Sequence, residues 1–420
     1  LENAFLAGWE STRRDALGAG IPATEDSLRE LRELTASAGA RVVGEALQRS
    51  SDPDPATLLG RGKVHEVRTE AHAAGADLVI FDHDLTPTQL RNLEKSLDLK
   101  VIDRTQIILD IFARRARSRE GQLQVELAQL NYLLPRLSGH GTLLSRLGGG
   151  IGTRGPGEQK LELDRRRIRH RIRVLTESIE RVRSQRALHR AHRRDQNLHT
   201  VALVGYTNAG KSTLFNALTS AAVITSARMF ATLDPTIRAM PLDAHRTALL
   251  SDTVGFIRKL PPHLVAAFRA TLEELEEARL LLHVTDASDP EHDAQDAAVE
   301  TLLEDLGVAS TPRLHVWNKI DQLVPAEQRR LETADRSVAV SAQTGEGLEH
   351  LRQIISDELT TDPVVEADFE LSSSDGKQLA LLHRAGTVVS TYYKEGRVFV
   401  RARVPQSVLA TMKSLMAEAL

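Results

Sequence analysis

Gly205-Tyr206-Thr207-Asn208-Ala209-Gly210-Lys211-Ser212 fits the pattern G-x-x-x-x-G-K-[ST], and its flanks decide how it is read. The apolar run Thr200-Val201-Ala202-Leu203-Val204 precedes it, and Thr213-Leu214-Phe215-Asn216-Ala217-Leu218 continues it with a helical pattern. A strand, a glycine-rich turn and a helix in that order form a cradle for phosphate. Glycines let successive N–H groups face phosphate oxygens, and the positive end of the helix adds to the attraction. Lys211 then serves the β- and γ-phosphates, and the Ser212 hydroxyl, with Thr213 beside it, faces Mg²⁺. The motif calls for a nucleoside triphosphate and leaves the base open.

The base is read downstream. Asn318-Lys319-Ile320-Asp321 closes the apolar run Leu314-His315-Val316-Trp317. A carboxylate at Asp321 accepts from both N1–H and the 2-amino group of guanine, a donor pair that adenine lacks. Asn318 serves the opposite edge and steadies the loop, while the Lys319 stem lies along the ring face. An unmatched buried carboxylate is costly, so this arrangement discriminates by about 10⁴-fold. Ser341-Ala342 follows the strand-like Val338-Ala339-Val340 and offers a backbone N–H to guanine O6. GTP and GDP are therefore the expected ligands.

Two segments are placed to sense the γ-phosphate. Ser251-Asp252-Thr253-Val254-Gly255-Phe256 follows the strand Thr247-Ala248-Leu249-Leu250, with Asp252 holding Mg²⁺ through water and the Gly255 N–H meeting the γ-phosphate. Phe230-Ala231-Thr232-Leu233-Asp234-Pro235-Thr236 reads as the first switch loop, and either Thr236 or Thr232 completes the Mg²⁺ shell. Phe256 stands where many related enzymes carry the glutamine that orients the attacking water. A phenyl ring makes no such hydrogen bond, so hydrolysis by the chain alone is expected to be slow. An arginine finger or its equivalent is worth about 10³–10⁵ in rate. Asn208 points to another aid, because GTPases with asparagine at this place use a K⁺ ion between the phosphates.

The 420 residues call for two to four domains. Apolar residues make up 41% and charged residues 26%, as in an ordinary globular chain. No apolar run approaches the roughly 20 residues of a membrane span. The absence of cysteine excludes disulfides, thiolate metal sites and thiol catalysis, and fits the cytoplasm. The chain opens on Leu1 without a methionine, which leaves room for residues trimmed ahead of it.

The fold class expected is multidomain α/β. Residues 1–112 read as a small α/β domain with strands at Arg41–Gly44, Asp77–Phe81 and Lys100–Asp103, and Thr86-Pro87 opens a helix. Residues 113–197 read as a helical hairpin. Leu123, Leu127, Leu130 and Leu134 line its first helix, and about a dozen arginines between Arg165 and Arg194 crowd the second, which begins near Leu161. The glycine-rich stretch Ser145–Gly157 joins them and carries Arg146 and Arg154. Residues 198–361 form the doubly wound GTPase domain, and 362–420 a small α/β appendage in which Pro405 opens the last helix.

These segments resemble the HflX family of translational GTPases. The likeness is carried by Gly205–Asn216, Phe230–Thr236, Asp252–Ile257 and Leu264–Glu274. Val101–Thr105, Ser118–Gly121, Leu134–Leu137 and Gly155–Glu158 extend it outside the GTPase domain. The resemblance implies binding to the large ribosomal subunit and its rRNA, with a role in splitting or rescuing ribosomes under stress; a monomer is expected, though the sequence leaves the oligomeric state open. A mobile loop with two arginines, backed by an arginine-dense helix, suits RNA phosphates. With aromatic content at 4%, phosphate contact outweighs base stacking. The alternative is a regulatory GTP-dependent binding module acting on a protein or a free RNA. An ATP site in the N-terminal domain is not evident, since Gly60-Arg61-Gly62-Lys63 lacks phosphate-loop spacing and reads as a helix-opening turn. The 15 histidines are scattered, and His140 and His170 read as surface groups.

Overall fold

In the computed structural model the described residues are 2–12, 24–137, 156–195, 199–219, 229–230, 236–242, 246–258, 275, 277–331, 336–359, 364–372, 378–379, 382, 386–394, 397–405, 408–409 and 412. Thr232, Arg146, Arg154, His140 and the segment 264–274 lie outside them.

The N-terminal part alternates β1 (Asn3–Ser11), α1 (Thr24–Ser37), β2 (Arg41–Ser50), α2 (Arg61–Ala73), β3 (Leu78–Phe81), α3 (Pro87–Leu97), β4 (Lys100–Asp103) and α4 (Arg104–Arg115). Its sheet is parallel, in the order β2-β1-β3-β4. The sequence reading found three of these strands and missed β1, which is central. Its core stretch is buried from Ala4 to Ala7, but Ala, Gly and Ser break its β-branched pattern. Local chemistry opens the helices as expected. Thr86 caps α3 with Pro87 at the first helical position and a reciprocal bond to Gln89. Gly60 precedes α2, so Gly60–Lys63 does open a helix.

The hairpin consists of α5 (Arg119–Arg136) and α6 (Pro156–Asp195), the latter starting earlier than the reading near Leu161. Arg171 on α6 makes a bidentate pair with Glu126 on α5, at 2.7 and 2.8 Å. Arg166 and Arg167 pair within α6 to Glu162 and Asp164. Arg169 and Arg173 are exposed beside the exposed His170.

The central domain runs β5 (Thr200–Val204), α7 (Lys211–Thr219), β6 (Thr236–Pro241), β7 (Thr247–Asp252), β8 (Leu280–Asp286), α8 (His292–Asp305), β9 (Arg313–Asn318), α9 (Pro325–Leu331), β10 (Ser337–Ala339) and α10 (Leu348–Leu359). Its sheet has the order β10-β9-β8-β5-β7-β6, parallel except for β6 against β7. The inner strands β5 and β8 carry near-continuous buried runs because both faces are covered. The ends of β5, β7, β8 and β9 converge where ligands bind in such sheets.

The C-terminal part is an antiparallel sheet, β11 (Val364–Ser372), β13 (Arg397–Pro405) and β12 (Thr387–Lys394), in that order. Pro405, expected to open the last helix, ends β13 opposite Val364, and helical residues follow at Val408 and Leu409. A terminal position needs no ladder N–H from proline.

The N-terminal and central domains share one apolar core. Ile108, Phe112 and Leu31 from the first lie in the same cluster as Phe230, Val254 and Phe256 from the second. Phe112 and Phe230 meet edge to face at 4.6 Å, a favourable aromatic geometry.

Candidate functional site

The loop after β5 has the shape that its glycines predict. Gly205 has φ 145°, and a Cβ there would lie 2.2 Å from the Val284 carbonyl oxygen. Gly210 has φ 90°, and a Cβ would fall 2.2 Å from Asn318 Nδ2. Any side chain at either position would block the approach of β8 or β9. Asn208 takes φ 65° and is exposed at the rim, while Ala209 is buried. Lys211 is buried, and its ammonium donates to the carbonyls of Gly205 (2.9 Å) and Tyr206 (2.6 Å). Burial draws it down to about 8, against the opposing pull of Asp252. Thr207 Oγ1 is buried without a protein partner.

At the end of β7, Asp252 accepts from Ser212 Oγ at 2.8 Å. Thr236 heads β6 directly opposite Asp252 in the ladder. Ser212 and Asp252 are thus joined, with Thr236 across the ladder from Asp252, and all three are hard oxygen donors of the kind that Mg²⁺ selects. Among the described residues no group of three or more His, Cys, Asp or Glu could hold a metal. An ion here would therefore share phosphate oxygens, as Mg²⁺ does in nucleotide sites. Thr253 fastens the strand end by donating to the Leu203 carbonyl at 2.6 Å.

The Val254–Phe256 stretch lies on the phosphate loop. Thr207 N–H donates to the Phe256 carbonyl (2.8 Å), and Phe256 N–H to that of Gly205 (3.1 Å). A Cβ on Gly255 would lie 3.1 Å from Lys211 Nζ. The Phe256 ring is buried, away from any water-orienting role.

The base-reading residues form one connected edge. Asn318 Nδ2 donates to the Ala209 carbonyl at 2.9 Å, and its Oδ1 accepts from Ala342 N–H at 3.0 Å. Asn318 therefore ties the phosphate loop to the 341–342 loop. Of the Ser341-Ala342 backbone groups read as candidates for guanine O6, the Ala342 N–H is engaged here by Asn318. Asp321 accepts from Ser341 Oγ at 2.6 Å, and its residue is otherwise exposed. Lys319, at φ 64°, sends its ammonium to Asp286 at 2.6 Å, which holds its stem in place.

Phe230 departs from the sequence reading. It is 3% exposed and packs on Phe112, so its ring belongs to the interdomain core. The apolar pull of α4 outweighs any ligand-facing position, and no local pattern signals that.

Sequence reading also missed the polar cluster behind the loop. Arg104, 1% exposed, donates to Glu30, to Asp82 (2.7 Å) and to the Arg258 carbonyl (3.1 Å). Ser27 donates to Asp82. The Tyr206 hydroxyl donates to Glu30 at 2.8 Å and accepts the Arg258 N–H at 2.9 Å. Burial pushes Glu30 up, opposed by Arg104 and by the Tyr206 bond, with Asp82 pushing the same way as burial. Burial and the Glu30 charge likewise raise the Tyr206 phenol.

Residues 25–113 match a family model described as GTP-binding GTPase N-terminal, 115–193 one described as GTP-binding GTPase Middle Region, and 200–319 one described as 50S ribosome-binding GTPase. The protein named GTPase HflX of Caldanaerobacter subterraneus is 48% identical over 385 residues, covering 91% of this chain and 88% of that protein. The one so named of Escherichia coli strain K12 is 44% identical over 384 residues, covering 90% of each. A crystal structure of a GTP-binding protein from the archaeon Sulfolobus solfataricus in complex with GDP is 24% identical, with a TM-score of 0.44, over 86% of this chain and 99% of that one.

Proposed function

The chain belongs to the HflX family of GTPases and hydrolyses GTP; from that premise we propose that it does so on the large ribosomal subunit, in splitting or rescuing ribosomes under stress. The observation that carries this reading is the combined site, in which Lys211, Ser212 and Asp252 meet under one loop and Asn318 joins that loop to Asp321 through Ser341 and Ala342.

In this reading, N–H groups of residues 205–213 cradle the α- and β-phosphates, and Lys211 swings from its loop carbonyls to the β–γ bridge. Ser212, Thr236 and, through water, Asp252 would hold Mg²⁺, which would supply neutralisation of the charge that builds on the phosphate oxygens. Thr253 and Val254 carry Gly255, whose N–H binds the γ-phosphate. Asp321 reads guanine, with Asn318, Lys319, Ser341 and Ala342 around it. Asn208, exposed at the rim, would be the loop residue to help hold a K⁺ ion. Phe256 contributes no hydrogen bond to water, so the water is oriented by backbone groups and by what the docked ribosome supplies.

The arginine-rich α6 gives the RNA contact, with Arg169 and Arg173 exposed along its surface. The domain that matches a 50S ribosome-binding GTPase model supports the same partner. No helix among the described residues is long and apolar enough to cross a membrane. Cosedimentation with purified large subunits, in GDP and in a non-hydrolysable GTP analogue, tests the proposal. Co-pelleting in the analogue with strong stimulation of GTP turnover is expected. No co-pelleting in either nucleotide and no stimulation would instead favour a regulatory module with another partner.

A further inference from the structure

We propose that Tyr206, at a position the phosphate-loop pattern leaves open, determines how the site discriminates triphosphate from diphosphate. It does so by holding the Gly255 segment down on the loop. This rests on the reading of residues 205–212 and 252–255 as the triphosphate site.

The segment after β7 lies where a third phosphate has to go. Two backbone bonds close Phe256 onto Gly205 and Thr207. A Cβ on Gly255 would stand 3.0 Å from Thr207 Cα and 3.1 Å from Lys211 Nζ. A phosphoryl group bridging Lys211 and the Gly255 N–H needs a hydrogen bond of roughly 2.8–2.9 Å on each side. With Gly255 packed this closely on Thr207 and Lys211, a γ-phosphate between Lys211 and the Gly255 N–H requires the two to part, and the hold on the Gly255 segment opposes its share of that movement. A diphosphate ends before that point and is compatible with the closed arrangement.

What resists withdrawal is the hold on Arg258, three residues on. Its N–H donates to the Tyr206 hydroxyl and its carbonyl accepts from Arg104. Tyr206 is anchored in turn by donation to Glu30, and Glu30 by the buried Arg104. One phenolic oxygen thus links the phosphate loop, the γ-phosphate sensor and helix α1 of the N-terminal domain. Val254, Phe256 and Ile257 reinforce the hold from the shared apolar core. Phenylalanine at 206 keeps the ring and loses both bonds, which weakens only the closed arrangement. The apparent affinity for triphosphate rises with the fraction of molecules already open.

The test uses the full chain and compares dissociation constants for GDP and a non-hydrolysable GTP analogue by competition with a fluorescent guanine nucleotide. Tyr206→Phe is expected to shift the analogue-to-GDP affinity ratio toward the triphosphate by about tenfold, the scale of a lost hydrogen bond. Glu30→Gln, which removes the charge that anchors Tyr206, should shift it the same way. The double variant should add little, because both changes break one chain of bonds. A purely structural role would weaken both nucleotides together and leave the ratio unmoved. A ratio within twofold of the parent in both variants, with GDP still bound, overturns the role of Tyr206 while leaving the site intact. Failure of the parent chain to bind GDP overturns the site as well.

Discussion

Replacing Arg104 by Met removes the guanidinium that holds the buried cluster and keeps most of its stem volume. Arg104 is 1% exposed, Asp82 fully buried and Glu30 8% exposed. The variant leaves two carboxylates facing each other without a cation. Breaking a buried ion pair by removing one partner costs about 3–5 kcal/mol. For a cooperative unit of about 150–250 residues, that lowers the melting temperature by roughly 10 °C at pH 7.5. The loss should depend on pH in a defined direction. Burial already pushes Glu30 up, and without Arg104 it rises further, so the folded variant takes up a proton that the unfolded chain has released. A group whose folded pKa is raised stabilises less as pH increases through that value. The deficit against the parent therefore shrinks toward pH 5.5 and grows toward pH 8, at up to about 1.4 kcal/mol per unit for one proton. Thermal melts of parent and variant at both pH values read this directly. A deficit under about 1 kcal/mol, or one that does not change with pH, would refute the reasoning.

Three further outcomes are expected. Asp321→Asn turns an acceptor into a group that also donates, so guanosine nucleotides lose about 10³–10⁴ in affinity while xanthosine nucleotides, with a carbonyl at C2, bind better; competition binding checks both. His315 is drawn down to about 4 by burial and by neighbouring His283, so it stays neutral when folded. Stability should fall as pH drops from about 6.5 towards 4, by up to about 1.4 kcal/mol per unit, and His315→Gln should flatten that slope in denaturant titrations. GTP turnover should be faster in KCl than in matched NaCl, and Asn208→Ala should erase the difference; equal rates for the parent would remove K⁺ from the mechanism.

Much of the nucleotide site was legible because its chemistry is local. Gly205, Gly210, Lys211 and Ser212 lie within one strand-turn-helix unit, and Asn318 and Asp321 within one loop. Their spacing alone sets which atoms can reach a phosphate or a purine. Helix starts were legible for the same reason, as Thr86-Pro87 and Gly60 show. Less legible was β1, whose mixed composition hides a central strand. Phe230 was assigned to the ligand because its loop is a switch candidate, yet Phe112 claims its ring.

From the residues in order came the class of ligand, the base and the alternation of strands and helices, since each depends on neighbours within a few positions. Tertiary structure alone decided that Tyr206 meets Glu30 across 176 residues and that Arg104 meets Glu30 across 74. No periodicity encodes such a choice. A buried arginine has to find carboxylates and carbonyls wherever the packed domains bring them, because an unpaired charge in that interior would cost more than the fold can bear.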